Sequence, residues 1–200
     1  MQPGYSDRIN HALAFAAKHH DGQVRKGTAA PYLTQPANVA IILTRYGQPE
    51  DTVVSGILHD VVEDWVRDGY TADELDDRIG RKFGTVVLET LLAVTRRRHD
   101  DDGIELSADE QKADYLSRLT TASDAARWVC CADLVHHAGG LLADLRRTID
   151  ANVVWSRQSG GRSGTLHWFS GVVERLDSLG WHAPVLDELR SLTHALQQQP

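Results

Sequence analysis

The sequence predicts an all-α fold, a helical bundle, and three observations carry that expectation. Apolar residues recur at helical spacing in almost every segment. Two capping boxes, Thr71 with Glu74 and Ser107 with Glu110, mark helix starts outright. No clear β-hairpin signal and no internal repeat accompany them.

Taken in order, residues 5–19 carry apolar positions at helical spacing. Thr34 reads as the N-cap of the next helix, with Pro36 at an early helical position where its missing N–H costs nothing. A third helix spans residues 50–64, and the Thr71 box opens TADELDDRI. Residues 85–94 are helical, and the Ser107 box opens SADEQKADYLSRL. Further helices are expected over 123–145, 148–156, 164–179 and 184–197, the last fraying in LQQQP. Three irregular segments remain, at 21–32, 95–106 and 157–163. The last, RQSGGRS, has no GKS or GKT after it and reads as a connector rather than a phosphate-binding loop.

With 200 residues the chain fits one domain, residues 1–200, large enough to bury a core without disulfides. Cys130 and Cys131 are neighbours and so poor candidates for a bridge; a buried reduced pair suggests an intracellular compartment. The N-terminus is too polar for a signal peptide and no apolar run approaches a membrane span, so a cytoplasmic protein without a membrane partner is expected. A net charge of −7 argues against a nucleic-acid polymer as partner, yet a small phosphorylated substrate needs only a metal and a few local cations. The cluster TRRRH at 95–99 runs directly into Asp100–Asp102 and reads as a solvated loop.

Chemistry concentrates in GILHDVVEDW, residues 56–65. At roughly 100° per residue, His59, Asp60, Glu63 and Asp64 fall within about 140° of one another, and Ile57, Leu58, Val61, Val62 and Trp65 occupy the rest. One face can be core; the other offers an imidazole and three carboxylates, ligand types that suit Mn²⁺, Fe²⁺ or Zn²⁺. A solvated acidic face over an ordinary core would show the same periodicity. A second signal comes from Asp133, the only charged residue in WVCCADLV. A lone carboxylate in an apolar helix is costly unless a cation or several donors meet it; the alternative is an Asp at the edge of the buried face, bonded to a neighbouring helix.

From about residue 8 to residue 178 the chain resembles the HD superfamily, specifically the HD hydrolase domains of the RelA/SpoT type and their small stand-alone relatives. The resemblance rests on HHDGQVRKGTAAPYLTQPANVAIIL, GILHDVVEDW, RIGRKFGTVVLETLLAVT, QKADYLSRL, CCADLVHHA and TLHWFSGVVERL, which occur in the family order. It implies a helical bundle around one divalent metal, manganese first, with iron, zinc, cobalt or nickel as alternatives. His59, Asp60 and Asp133 match three ligands. The fourth position is Gln35, since the family's PYxxHP reads PYLTQP here. An amide oxygen is a weaker donor than imidazole for first-row transition metals, so metal affinity should fall. ADKLHN appears as ADLVHH, placing Leu134 where a basic residue is usual and His137 where the hydrolases have a pocket asparagine. Gly140 stands where a pocket threonine is usual in the alarmone hydrolases.

The resemblance further implies that Glu63 and Asp64 orient and deprotonate the attacking water, and that Arg25 and Lys26 bind substrate, Arg25 against a purine ring and Lys26 on phosphate. His137 joins them as a substrate-side residue, while Tyr32 packs beneath their loop. The activity expected is removal of pyrophosphate from the 3′ position of guanosine tetra- or pentaphosphate. Alternatives are an HD hydrolase of another nucleotide or phosphoester, or a degenerate HD protein that binds a nucleotide or partner without turnover. An HD-type oxygenase would need a second His/Asp set, which the ten histidines do not form in the sequence, and an HD-GYP phosphodiesterase would need a GYP motif. Oligomeric state is not legible.

Overall fold

The computed structural model describes residues 4–25, 29–100 and 102–200. It is an all-α bundle: among the described residues there is no sheet, only isolated bridges between Val24 and Pro31 and between His99 and Glu105. Both bridges lie in segments expected to be irregular, and the first pins the two ends of the loop that carries Arg25 and Tyr32.

Helix α1 (Asp7–His19) is capped by Ser6, whose side chain accepts from the Ile9 N–H. Helix α2 (Thr34–Arg45) begins one residue earlier than the sequence suggests: Thr34 is its first helical residue, and its hydroxyl donates to the Pro31 carbonyl. Gln35 is thereby fixed in the first turn. Helix α3 (Glu50–Arg67) runs three residues past the expected end at 64, and α4 (Ala72–Leu75) follows behind its Thr71 capping box. What the sequence shows as one helix after Thr71 continues through a π-helical stretch (Asp76–Gly80) into α5 (Arg81–Phe83). Gly84, at φ 102°, stops it in a conformation a side chain would strain, and α6 (Thr85–Val94) leaves at a new angle.

Helix α7 (Ala108–Arg118) opens at the Ser107 box as expected, and α8 (Asp124–Arg147) is capped by Ser123. Helix α9 (Ala151–Trp155) is shorter than the sequence suggests because Asp150 caps it, accepting from Asn152 N–H. Helix α10 (Gly161–Ser178) claims part of the glycine-rich connector, and α11 (Pro184–Gln197) matches its expected bounds.

Helices α3 and α8 form the centre. Helix α3 packs against α1, α2, α6 and α8, and α8 also packs against α2 and α11. Val53, Val54, Ile57, Leu58, Val61 and Val62 of α3 are buried against these neighbours. Each such side chain contributes roughly 1.5–3 kcal/mol of burial, which outweighs the modest helix propensity of valine and isoleucine. Gly56 lets α2 approach: a Cβ there would lie 2.5 Å from Leu43 Cδ1 and 3.1 Å from Val39 Cγ1. The close approach brings the first turn of α2 to the HD pair on α3. Both cysteines are buried and unbridged. Among the described residues no helix is long and apolar enough to cross a membrane.

Candidate metal centre and substrate cavity

His59 is 8% exposed, and its Nδ1 lies 2.8 Å from the Gly56 carbonyl one turn back. A carbonyl only accepts, so Nδ1 carries a hydrogen and Nε2 is the nitrogen left for a second proton or a metal. That nitrogen faces acid: Nε2 is 3.3 Å from Asp60 Oδ1 on α3 and 3.5 Å from Asp133 Oδ1 on α8. Neither contact has hydrogen-bond geometry, and His59 Nε2 and Asp60 Oδ2 are both buried without a partner. From α2, Gln35 donates its amide N–H to Asp133 Oδ1 at 3.2 Å. Three helices thus converge on one point.

Electrostatically the point calls for a cation. Burial opposes charge on His59, yet the Asp60 carboxylate and Asp133 overcome it and raise the imidazole to about 10. Burial would raise Asp133, but His59 holds it down at about 2. Asp60 is pushed up by burial, with the Asp133 and Glu63 charges adding to the shift. In the metal-free chain the proton on His59 supplies the positive charge between the two carboxylates, and a divalent ion would take its place. One imidazole nitrogen, two carboxylates and an amide form a donor set rich in oxygen, which fits a hard divalent ion such as Mn²⁺ or Mg²⁺ better than Zn²⁺. Turning the Gln35 amide would present its oxygen instead of its nitrogen.

The cluster forms the floor of a cavity of about 240 Å³, whose walls include Arg25, Tyr32, Glu63, Arg96, His137 and Trp168. A second cavity of about 260 Å³ shares Arg25, Tyr32, Gln35 and His137 with it and adds Gly140, Asp144, Arg157 and Gln158. Of the residues singled out in the sequence, Gln35, His59, Asp60, Asp133, Glu63, Arg25 and His137 therefore come together. Lys26 lies outside the described residues. Leu134 lines the first cavity and Gly140 the second.

Asp64 lines neither cavity. Its Oδ2 is 3.0 Å from His19 Nε2 and its Oδ1 is 2.7 Å from an Arg67 guanidinium nitrogen, so the carboxylate turns toward α1 while Glu63 faces the cavity. The sequence pairs the two acids; packing separates them. His137 shares the first cavity with the cluster, and its Nε2 is 2.8 Å from Gln158 Oε1. The segment read as a mere connector supplies that partner and places Arg157 in the second cavity.

Other residues at the site were read differently in the sequence. Tyr32 lines both cavities, and burial together with the Asp60 carboxylate beside it raises its phenol, so it does more than support the loop. Arg96, from the supposedly solvated TRRRH cluster, lies over the Trp168 ring at 5.6 Å and borders the first cavity. Its neighbour Arg97 instead pairs with Asp114 of α7. Trp168 Nε1 is buried without a partner. No local spacing could have revealed these: Arg96 and Trp168 reach the HD pair only through tertiary packing.

Comparison with known proteins agrees with this architecture. Residues 12–152 match the model of the HD domain. A Myxococcus xanthus protein named GTP pyrophosphokinase is 34% identical over 116 residues, 58% of this chain and 14% of that protein. A guanosine-3′,5′-bis(diphosphate) 3′-pyrophosphohydrolase from Aquifex aeolicus is 34% identical over 85 residues, 42% of this chain and 12% of that protein. The chain thus spans a small fraction of the length of these curated relatives. Among solved structures, one described as a metazoan ortholog of SpoT that hydrolyzes ppGpp superposes with a TM-score of 0.71 at 24% identity, covering 96% of this chain and 97% of the other. The lmo0812 protein of Listeria monocytogenes EGD-e superposes with a TM-score of 0.64 at 26% identity, covering 80% and 96%. With the family model matched over most of its length and the HD pair at the convergence of three helices, the chain belongs to the HD domain family.

Proposed function

We propose that the chain is a metal-dependent phosphohydrolase that removes the 3′-pyrophosphate of guanosine tetra- or pentaphosphate. The observation that carries this reading is the cluster of buried His59 with partly buried Asp60 and Asp133, opening into a cavity that also presents an acid, Glu63, and two cations, Arg25 and Arg96. The HD pyrophosphohydrolase among its relatives and the SpoT-like fold support the substrate class.

His59, Asp60 and Asp133 would hold the metal, most suitably manganese, with the Gln35 amide at the fourth position. A bound divalent ion supplies charge neutralisation at a phosphoryl oxygen and a more acidic water. Glu63, which lines the same cavity, would serve as the base that takes a proton from an attacking water. Tyr32, beside Asp60, would help to hold that carboxylate in place. Arg25 and Arg96 draw the polyphosphate in from opposite walls, and the second cavity, bounded by Tyr32, His137 and Arg157, takes the nucleoside. Asp64 acts as a positioning residue: held by His19 and Arg67, it fixes the turn of α3 on which Glu63 sits.

The test is hydrolysis of guanosine tetraphosphate by the purified protein with added Mn²⁺, with release of pyrophosphate and guanosine 5′-diphosphate measured for the native chain and Glu63→Gln. Native turnover with a loss on the order of 10²-fold or more in the variant is expected. An inactive native protein that still binds Mn²⁺ and nucleotide would favour the binding-module reading, for which Gln35 is the motivating departure. Turnover of other nucleotides but not of this one would move the assignment to another HD hydrolase.

A further inference from the structure

On the far side of the turn of α3 that carries Glu63, one ligating atom from each of His19, His20 and Asp64 lies within 4.8 Å of the others. The sequence gives little hint of this, because consecutive helical side chains diverge by roughly 100°. Here His19 is the last residue of α1 and His20 its C-cap, at φ −90° and ψ 16°, and the two rings meet edge to face 4.7 Å apart. His19 also packs edge to face on Trp65 of α3, 5.8 Å between centroids, which locks the end of α1 against Asp64.

The second observation is the state of His20. It is 3% exposed, and its Nδ1 lies 2.9 Å from Gln23 Oε1, an acceptor. The hydrogen therefore sits on Nδ1, and Nε2 carries a lone pair that is buried without any partner. Burial also lowers the proton affinity of His20, so the ring is a neutral donor near neutral pH. Asp64 keeps Oδ2 toward His19 while Arg67 occupies Oδ1. A buried imidazole with an orphaned lone pair beside a second imidazole and a carboxylate lacks only a Lewis acid.

We propose that His19, His20 and Asp64 form a second cation site, separate from the cluster around His59 and selective for a borderline ion such as Zn²⁺ or Co²⁺. Two imidazoles and a carboxylate make the open three-ligand set that zinc takes when further positions are left for water. The donor sets of the two sites then divide by chemistry: the one around His59 is dominated by oxygen, this one by nitrogen. The Arg67 guanidinium on the far carboxylate oxygen weakens the site relative to a structural zinc centre and leaves it exchangeable. An ion there would sit on the carboxylate next to Glu63 in sequence, and His20 also feels the charge of Asp60 in the first cluster. The inference is independent of the phosphohydrolase assignment.

The test is a titration of metal-stripped full chain with Zn²⁺ by calorimetry, repeated with Co²⁺ while following its visible absorption. The native chain should take up two equivalents, Asp133→Asn one, and His19→Gln one. Asp133→Asn combined with His19→Gln or with His20→Gln should bind at least about a hundredfold more weakly than Asp133→Asn alone, since losing a ligand exceeds the 10–100-fold typical of losing a supporting contact. His20 is buried and its replacement can unfold the end of α1; His19 is partly exposed, so His19→Gln with native helicity by circular dichroism is the deciding variant. A single equivalent in the native chain that Asp133→Asn removes and His19→Gln leaves in place overturns the proposal. So does Asp133→Asn binding that survives His19→Gln unchanged. These outcomes are read from stoichiometry and spectra, whether or not any nucleotide is hydrolysed.

Discussion

At position 35 the chain carries an amide where the family resemblance implies an imidazole. Gln35 donates to Asp133 at 3.2 Å, so the residue faces the cluster around His59. Gln35→His should therefore tighten Mn²⁺ binding and raise activity at limiting metal, checked by titrating metal into both proteins while following hydrolysis. No gain in affinity would remove residue 35 from the ligand set. His59 gives a pH prediction for the metal-free protein. Its folded value, about 10, stands above the ordinary 6.5, so its contribution to stability is complete below about pH 6.5 and is lost as pH rises toward 10. The Tm of stripped protein should fall over that window, and His59→Asn should flatten the fall. With Mn²⁺ bound the fall should also flatten, because a ligating imidazole is already neutral. Asp133, held at about 2, contributes in the other direction: its share is present above about pH 3.8 and disappears as pH falls toward 2. At this scale His59, Asp60 and Asp133, singled out on α3 and α8 by spacing and isolation, do meet in one cluster, because those signals are local properties. It could not divide Glu63 from Asp64, because what separates them is the presence of α1 with His19 on one side only.

Helix α3 works as a shared wall, and its tightest contact is with α2. Gly56→Ala would gain roughly 0.5–1 kcal/mol of helix propensity. It would also place a methyl 2.5 Å from Leu43 Cδ1 in a fully buried core, an overpacking that costs typically 1–3 kcal/mol. The second effect wins: a net loss on the order of 1 kcal/mol is expected, read as a lower midpoint in urea. Because the Gly56 carbonyl also holds His59 Nδ1 and the contact sets the distance to Gln35, Mn²⁺ affinity should fall with it. Stability lost with affinity unchanged would show that the helices part without moving the ligands. Elements were legible where the signal is chemical and local. Both capping boxes form as read, and α6 and α11 have the expected bounds. Thr34 was misplaced by one residue because Leu33 already has helical angles, at φ −50° and ψ −22°. The glycines at 160 and 161 suggested a loop through 163, but Gly160 at φ 80° acts as the turn from which α10 starts.

Across the whole molecule, helices beyond the region of the family match hold its centre in place. Residues 12–152 match the HD domain, yet α11 buries Val185, Leu186, Leu189 and Leu196 and packs along α8, the helix that carries Asp133 and His137. Trp181 adds a hydrogen bond from its indole to Asp124 at the start of α8, at 2.7 Å. Four such side chains, at roughly 1.5–3 kcal/mol each, amount to much of the 5–15 kcal/mol net stability of an ordinary domain. A chain cut after residue 183 should accordingly lose its cooperative thermal transition rather than leave a smaller folded core, a result readable by calorimetry. A sharp transition in the truncated chain would mean that α8 is held by α2 and α3 alone. The hydrogen bond between Gln35 and Asp133 spans 98 positions, and His59 and Asp60 lie between them in sequence. An ion gripped at that spot fastens three helices as a staple would, and only the folded chain offers the grip. Heat resistance then becomes a gauge of occupancy: Tm should climb with the logarithm of free Mn²⁺ once its concentration passes the dissociation constant, so that a simple melting curve weighs the strength of the amide at position 35 without any substrate at all.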